Sequence, residues 1–270
     1  MGTLDLAKYQ LHYHLSGQPR KPLILFLHGF MGNCHDFDRV IPLLCDDFMC
    51  LVVDLPGHGQ TKILTPDRSF TLDDISLALI QVLESLGRTE CALVGYSMGG
   101  RLALYLTLYF PERFSKVMIE SASPGLKTEM ERMERIDRDL KLAKELETGD
   151  FLTFLLRWYE NPLFASFRQH SDFPKMLRKR LQNDPLALAN VLQNLGTGRQ
   201  PSLWPMLAGN DVPMLLLSGE FDAKFSAINA EMKQLCHTAE FEIVPNVGHN
   251  IHFEDPHAFA KLLRRFLGTI

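Results

Sequence analysis

The chain has 270 residues, 46% hydrophobic and 22% charged, a globular balance that excludes a disordered or fibrous protein. Its length fits one large α/β domain with room for an insertion, and no apolar run reaches the length of a membrane span. A formal net charge of −4 excludes the broad basic field of a nucleic-acid-binding protein.

Tyr9 to Leu15 (YQLHYHL) alternates and predicts a half-buried strand, and Gly17 to Pro22 turns the chain. Pro22 to Leu27 and Met49 to Val53 are continuous apolar runs, the mark of strands buried on both faces. Between them, 34–45 has a helical pattern. Leu72 to Leu86 is a helix opened by Thr71 and stopped by Gly87. Further strands are expected at 91–94 and 116–119, with an apolar helix from Gly99 to Phe110 halted by Pro111. A different stretch comes next, with helices at 132–146, 151–158 and 175–195 and no convincing buried strand. Strands at 212–217 and 241–244 then alternate with helices at 227–236 and 256–267. Such alternation specifies a mostly parallel, doubly wound sheet. Residues 1–122 and 210–270 form this core, and 123–209 reads as an inserted helical cap.

Gly95-Tyr-Ser-Met-Gly99 matches G-x-S-x-G between a strand and a helix, the context that gives this motif meaning. The turn pushes the Ser97 hydroxyl above the strand ends and sets the Met98 amide at a helix N-terminus, where donors are unpaired. A serine hydroxyl is inert until a base takes its proton. His249 follows a late strand and can be that base, and Asp222 follows the strand before it and can orient the imidazole. The order Ser, Asp, His is the one that α/β hydrolases use. The Phe30 amide, after the first buried strand, can join that of Met98 in an oxyanion hole, where each donor is worth about 2.7–4 kcal/mol of barrier.

The remaining histidines read as structural. His28 fixes its loop, His58 does likewise, and His252 lies one turn beyond the base. His12 and His14 share a strand face and have no acidic or thiol neighbours in sequence, so no metal site is expected. Cys34, Cys45, Cys50, Cys91 and Cys236 form no CxxC pair and read as reduced thiols. The sequence MGTLDLAKYQ lacks the basic and apolar regions of a secretory leader, and Leu6 replaces the Ser or Thr of an acylation signal. A cytoplasmic protein, monomeric or weakly self-associating, is expected.

Several segments together resemble one branch of the α/β-hydrolase superfamily, the 2-succinyl-6-hydroxy-2,4-cyclohexadiene-1-carboxylate synthases. They are His28-Gly-Phe30, Gly32-Asn-Cys-His-Asp36, Asp54-Leu-Pro-Gly-His-Gly59, Gly95 to Arg101, Ser123-Pro-Gly-Leu126, Glu131 to Arg138, Trp158 to Ser166, Gly219 to Phe225 and Gly248-His-Asn250. The resemblance spans nearly the whole chain. It implies a lyase that needs neither metal nor organic cofactor: Ser97, activated by His249, abstracts a proton and pyruvate leaves by elimination.

The substrate of that branch carries several carboxylates, so its pocket needs fixed cations. Arg101 sits one turn after Ser97 on a helix apolar nearly all round, and a buried arginine must be paired or face an anion. In the cap, Arg132, Arg135 and Arg138 recur every three residues, and the family pattern selects Arg135 as a carboxylate clamp. Arg180 is the expected third contact, with Arg178 as the alternative. Arginine suits the task because its planar fork grips a carboxylate through two bonds. Trp158, Tyr159 and Tyr96 are expected as pocket walls. The competing readings are a carboxylesterase or C–C hydrolase with Ser97 as nucleophile, and a ligand receptor on the same scaffold.

Overall fold

The computed structural model of the chain describes residues 1–65 and 69–268. The last two residues of the expected core segment therefore lie outside the described residues. The order of elements is β1 (Gly2–Asp5), β2 (Tyr9–Ser16), β3 (Leu23–Leu27), β4 (Met49–Val53), β5 (Lys62–Ile63), α1 (Leu72–Ser85), β6 (Cys91–Tyr96), α2 (Met98–Tyr109) and β7 (Phe114–Glu120). Five helices come next: α3 (Glu129–Thr148), α4 (Phe151–Tyr159), α5 (Ala165–Gln169), α6 (Phe173–Arg180) and α7 (Pro185–Leu195). The chain then returns through β8 (Met214–Gly219), α8 (Ala223–Leu235), β9 (Ala239–Val244), α9 (Ile251–Glu254) and α10 (Pro256–Leu267).

The strands form one sheet in the order β1-β2-β4-β3-β6-β7-β8-β9, with β5 also on β2. From β4 to β9 every pairing is parallel, and the antiparallel pairs all involve β2. The central strands β3, β4, β6 and β8 are buried at every residue, as their unbroken apolar runs require when helices cover both faces. One face packs Leu25, Leu51 and Leu93 against α1 and α2; the other packs Phe26, Val52 and Val94 against Phe37, Phe259 and Leu263. The helices between β7 and β8 carry an apolar cluster of their own around Phe154, Leu155, Tyr159, Phe167 and Leu188.

Several sequence expectations change in detail. Residues 34–45 hold only a short 3-10 turn at Ile41–Leu43. The Asn33 side chain accepts the His35 amide at 2.9 Å, a local bond that competes with a helix, and Pro42 has no N–H to donate within a longer one. The expected helix 175–195 is two helices, α6 and α7. Pro185 opens α7, and Asp184 caps it by accepting the Leu186 amide. The edge strands β1 and β5 and the short α5 were not expected, being too brief to show a period. Thr71 does cap α1, in a reciprocal box with Asp74. Among the described residues, no helix is long and apolar enough to cross a membrane.

Candidate active site

Ser97 ends the turn from β6 into α2 with φ +50°, a value uncommon for a residue with a side chain. The turn tolerates no bulk: a Cβ at Gly99 would stand 2.2 Å from the Leu27 carbonyl oxygen. The Ser97 amide is tied to the Glu120 carbonyl at 2.9 Å, and its side chain makes no capping bond to α2. The hydroxyl is thereby left for His249, whose Nε2 lies 3.4 Å away. On the other side of the ring, Nδ1 meets Asp222 Oδ2 at 2.7 Å. The second oxygen of Asp222 accepts the Phe225 amide at 3.1 Å and so caps α8. Three residues from the ends of β6, β8 and β9 therefore form one hydrogen-bonded series, as their order in the chain led us to expect.

Above this series lies the loop after β3. A Cβ built on Gly29 would come within 3.5 Å of Ser97 Cβ, so the loop carrying Phe30 passes directly over the serine. Met98 is the first residue of α2, and its N–H has no intrahelical partner. His28 and His58 fix this loop, as expected. His28 Nε2 accepts the Leu55 amide at 3.0 Å, and His58 Nε2 accepts the Met31 amide at 3.1 Å. Burial lowers the pKa of His28 and, more strongly, that of His58, where His28 adds to the effect. Both rings are neutral acceptors.

The aromatic expectations divide. Trp158 is half-buried with its ring 5.3 Å from that of Phe30, beside the proposed oxyanion loop. Tyr159 is instead buried in the helical cluster, its hydroxyl 3.7 Å from the Met176 sulfur. Tyr96 is buried behind His249 at 5.5 Å between ring centres, and burial next to Glu120 raises its pKa well above the usual phenol value. Two rings against His249 were not singled out from the sequence: Phe225 at 4.9 Å and Phe164 at 5.6 Å. Both did lie within quoted segments, Trp158 to Ser166 and Gly219 to Phe225. Nor was Glu120, whose carboxylate at the end of β7 holds His252 Nδ1 at 2.7 Å in a fully buried pair.

The arginines occupy three different situations. Arg101 is buried, donating to Gln200 Oε1 at 3.0 Å and to the Leu195 carbonyl at 2.7 Å. Among the described residues no carboxylate lies within ion-pair distance of it. Burial, then repulsion from Arg135, lowers its pKa to about 10, with Asp139 opposing. Arg135 is a third exposed and bonds Asp139 through Nε at 2.8 Å. Arg180, expected as a substrate contact, is ion-paired inside the protein. Its two terminal nitrogens grip Asp36 at 2.8 Å each, and one also reaches the Met31 carbonyl. The acid that neutralises Arg180 lies 144 residues away in the chain, a partner that no local pattern announces. Arg178, the alternative, is exposed.

His12 also departs from expectation. Folding brings Asp54 to 2.8 Å from its Nδ1, and Cys34 completes a buried group whose ligating atoms lie within 4.8 Å of one another. The Asp54 oxygens, however, also accept the Cys34 and Gln60 amides at 2.6 and 2.8 Å. That donor set suits a carboxylate tying three loops together better than a metal ligand. A cavity of about 670 Å³ borders this region, between Gly57–Leu64 and Lys179–Asn190, and none of the candidate site residues lines it.

A parallel sheet wound with helices on both faces, with serine, histidine and aspartate joined at its strand ends, defines an α/β-hydrolase-fold protein. The comparisons agree. The model of the α/β-hydrolase fold family matches residues 22–256. A Bacillus subtilis (strain 168) protein, provisionally named 2-succinyl-6-hydroxy-2,4-cyclohexadiene-1-carboxylate synthase, is 40% identical over the whole of both chains. The synthase of that name from Serratia proteamaculans is 34% identical, over 93% of this chain and 95% of its own. The solved structure of MenH from S. aureus superposes with a TM-score of 0.89 at 32% identity, covering 98% of this chain and 99% of that one. The chain belongs to the α/β-hydrolase-fold family and, within it, to the 2-succinyl-6-hydroxy-2,4-cyclohexadiene-1-carboxylate synthases.

Proposed function

We propose that this chain is a lyase of menaquinone or phylloquinone biosynthesis. It eliminates pyruvate from 2-succinyl-5-enolpyruvyl-6-hydroxy-3-cyclohexene-1-carboxylate. Ser97, its proton drawn by His249 and the imidazole oriented by Asp222, abstracts the ring proton beside the succinyl carbonyl. The Phe30 and Met98 amides hold the negative charge that develops on that carbonyl oxygen. The electron pair moves through the ring double bond, the bond to the enolpyruvyl oxygen breaks, and the 3-ene becomes the 2,4-diene. Enolpyruvate takes up the proton and becomes pyruvate. Ser97 acts as a base throughout, so no acyl-enzyme forms.

In this reading residues 123–209 cap the site. Arg101 and Arg135 hold substrate carboxylates, and Trp158 walls the ring. Arg180 acts at one remove, by locking Asp36 and the Met31 carbonyl in the loop that carries Phe30. Five free thiols fit a cytoplasmic setting, with the protein monomeric or weakly associated.

The observation that carries this reading is Arg101. It is a buried cation one turn from Ser97, with no protein carboxylate among the described residues within ion-pair distance. A site for neutral esters gains nothing from such a charge, whereas a polycarboxylate requires one. The test is pyruvate formation from the purified substrate, followed by coupled NADH oxidation with lactate dehydrogenase. Rapid release is expected. Absence of release, together with a burst on a p-nitrophenyl ester and stoichiometric labelling of Ser97, establishes the esterase instead.

A further inference from the structure

Arg101 projects from α2 of the core into the segment that follows α7. One of its two partners there is the last carbonyl of that helix, Leu195. The other is the side chain of Gln200, which is 1% exposed. The nearby carboxylate of Asp139 is turned to Arg135 through Oδ1, and its Oδ2 is buried without a partner. Gln200 Nε2 is likewise a buried donor with no partner.

Buried arginines are ordinarily neutralised by acids, which hold the fork through two charge-assisted bonds. Glutamate has the length and shape of Gln200 and would supply that partner. An amide supplies direction without charge. It holds one arm of the guanidinium, with the Leu195 carbonyl on the other, and neither partner brings a negative charge.

We propose that Gln200 is a positioning residue that sets specificity for carboxylate-bearing substrates, by anchoring Arg101 through a neutral acceptor. A substrate carboxylate bound by Arg101 then balances the buried charge and satisfies the orphan Nε2 donor. The inference rests on Arg101 being the substrate clamp.

The test replaces Gln200 by Glu, which keeps shape and adds charge, and by Met, which keeps length and removes both polar atoms. KM and kcat are read from pyruvate release. Affinity is read by calorimetric titration of the enolpyruvyl substrate into a Ser97→Ala background, where turnover does not interfere. Gln200→Glu is expected to weaken binding and raise KM by at least about tenfold, the ratio carried by one charge-assisted contact. Its kcat should stay within about twofold and its Tm should not fall, because the new acid completes an ion pair with Arg101. A purely structural Gln200 gives the opposite: a lower Tm with KM unchanged. Should Gln200→Glu not fold, Gln200→Met carries the test, with a raised KM at retained kcat expected and an unchanged KM overturning the proposal. Pyruvate release with equal affinity in both variants rejects the role of Gln200 and leaves the lyase standing. Weakened binding by Gln200→Glu in a protein that never releases pyruvate rejects the lyase and leaves the anchor standing. No binding at all rejects both.

Discussion

Asp222 and His249 meet at 2.7 Å with neither side chain more than 2% exposed. In so dry a contact the imidazole can adopt only the tautomer with its proton on Nδ1, directed at the carboxylate. Nε2 is then a free acceptor facing Ser97. The serine contact is looser, at 3.4 Å, as is common before a ligand draws the hydroxyl into line. A strong fixed bond behind a weak adjustable one is the arrangement a proton relay needs.

Removing either end of this relay should therefore cost turnover and leave binding largely intact. Ser97→Ala and Asp222→Asn are each expected to lower kcat for pyruvate release by about 100-fold or more, the usual share of a positioned base, with KM changed little. Steady-state kinetics with the coupled assay checks this. Near-normal pyruvate release by Ser97→Ala would falsify the proposed base.

The two clamp arginines should differ in weight. Arg101→Ala removes a buried charge and is expected to cost about 1.5–3 kcal/mol in kcat/KM. Arg135 is a third exposed and already bonded to Asp139, so its loss should fall at the low end of that range or below it. Arg101→Lys should recover only part of the loss, since a point charge cannot reach both Gln200 and the Leu195 carbonyl as a fork does. Added salt should raise KM more in the unmodified enzyme than in Arg101→Ala. A kcat/KM unchanged from that of the unmodified enzyme on loss of either arginine removes the clamp from the mechanism.

Much of this site was legible in the sequence, and the rest escaped for a common cause. Ser97, Asp222 and His249 each follow an apolar strand, and strand-end position is a local property that periodicity exposes. The partners of the charged residues are not local. Asp36 and Arg180 are joined across the core and the helical insertion, and His12 finds Asp54 from a neighbouring strand. A charge in a sequence shows that a partner is needed and not which one. Phe164 and Phe225 escaped for a related reason: a ring's contact with His249 is decided by packing between elements, and apolar patterning reports only that each is partly covered. The break between α6 and α7 was legible in principle, from Asn183-Asp-Pro185, where a cap residue precedes the proline.

Arg180 should prove a stability residue. Burial opposes ionisation of Asp36, but the charge and hydrogen bonds of Arg180 outweigh it and hold the carboxyl below its usual range. Breaking such a pair from one side strands a buried charge. Arg180→Met is therefore expected to cost about 3–5 kcal/mol in urea unfolding, and Asp36→Asn in the same chain should return part of it. An unchanged denaturation midpoint with a tenfold higher KM would instead return Arg180 to the substrate.

The pH dependence of stability separates these groups. His28 and His58 are neutral acceptors whose folded pKa values lie below the ordinary histidine value, chiefly through burial. The unfolded chain binds their protons first, so their contribution is complete above about pH 6.5 and declines as pH falls through that value. Asp36 has a depressed folded pKa of the acid kind, so its contribution persists until pH falls below about 4. Urea midpoints should accordingly fall in two stages, one below about pH 6.5 and one below about pH 4. His58→Gln keeps an acceptor for the Met31 amide and removes the titrating ring, so it should flatten the first stage and leave the second. Asp36→Asn should do the reverse. If midpoints of His58→Gln fall between pH values of about 7 and 5 as steeply as those of the unmodified chain, the buried histidines are not what makes this fold sensitive to mild acid.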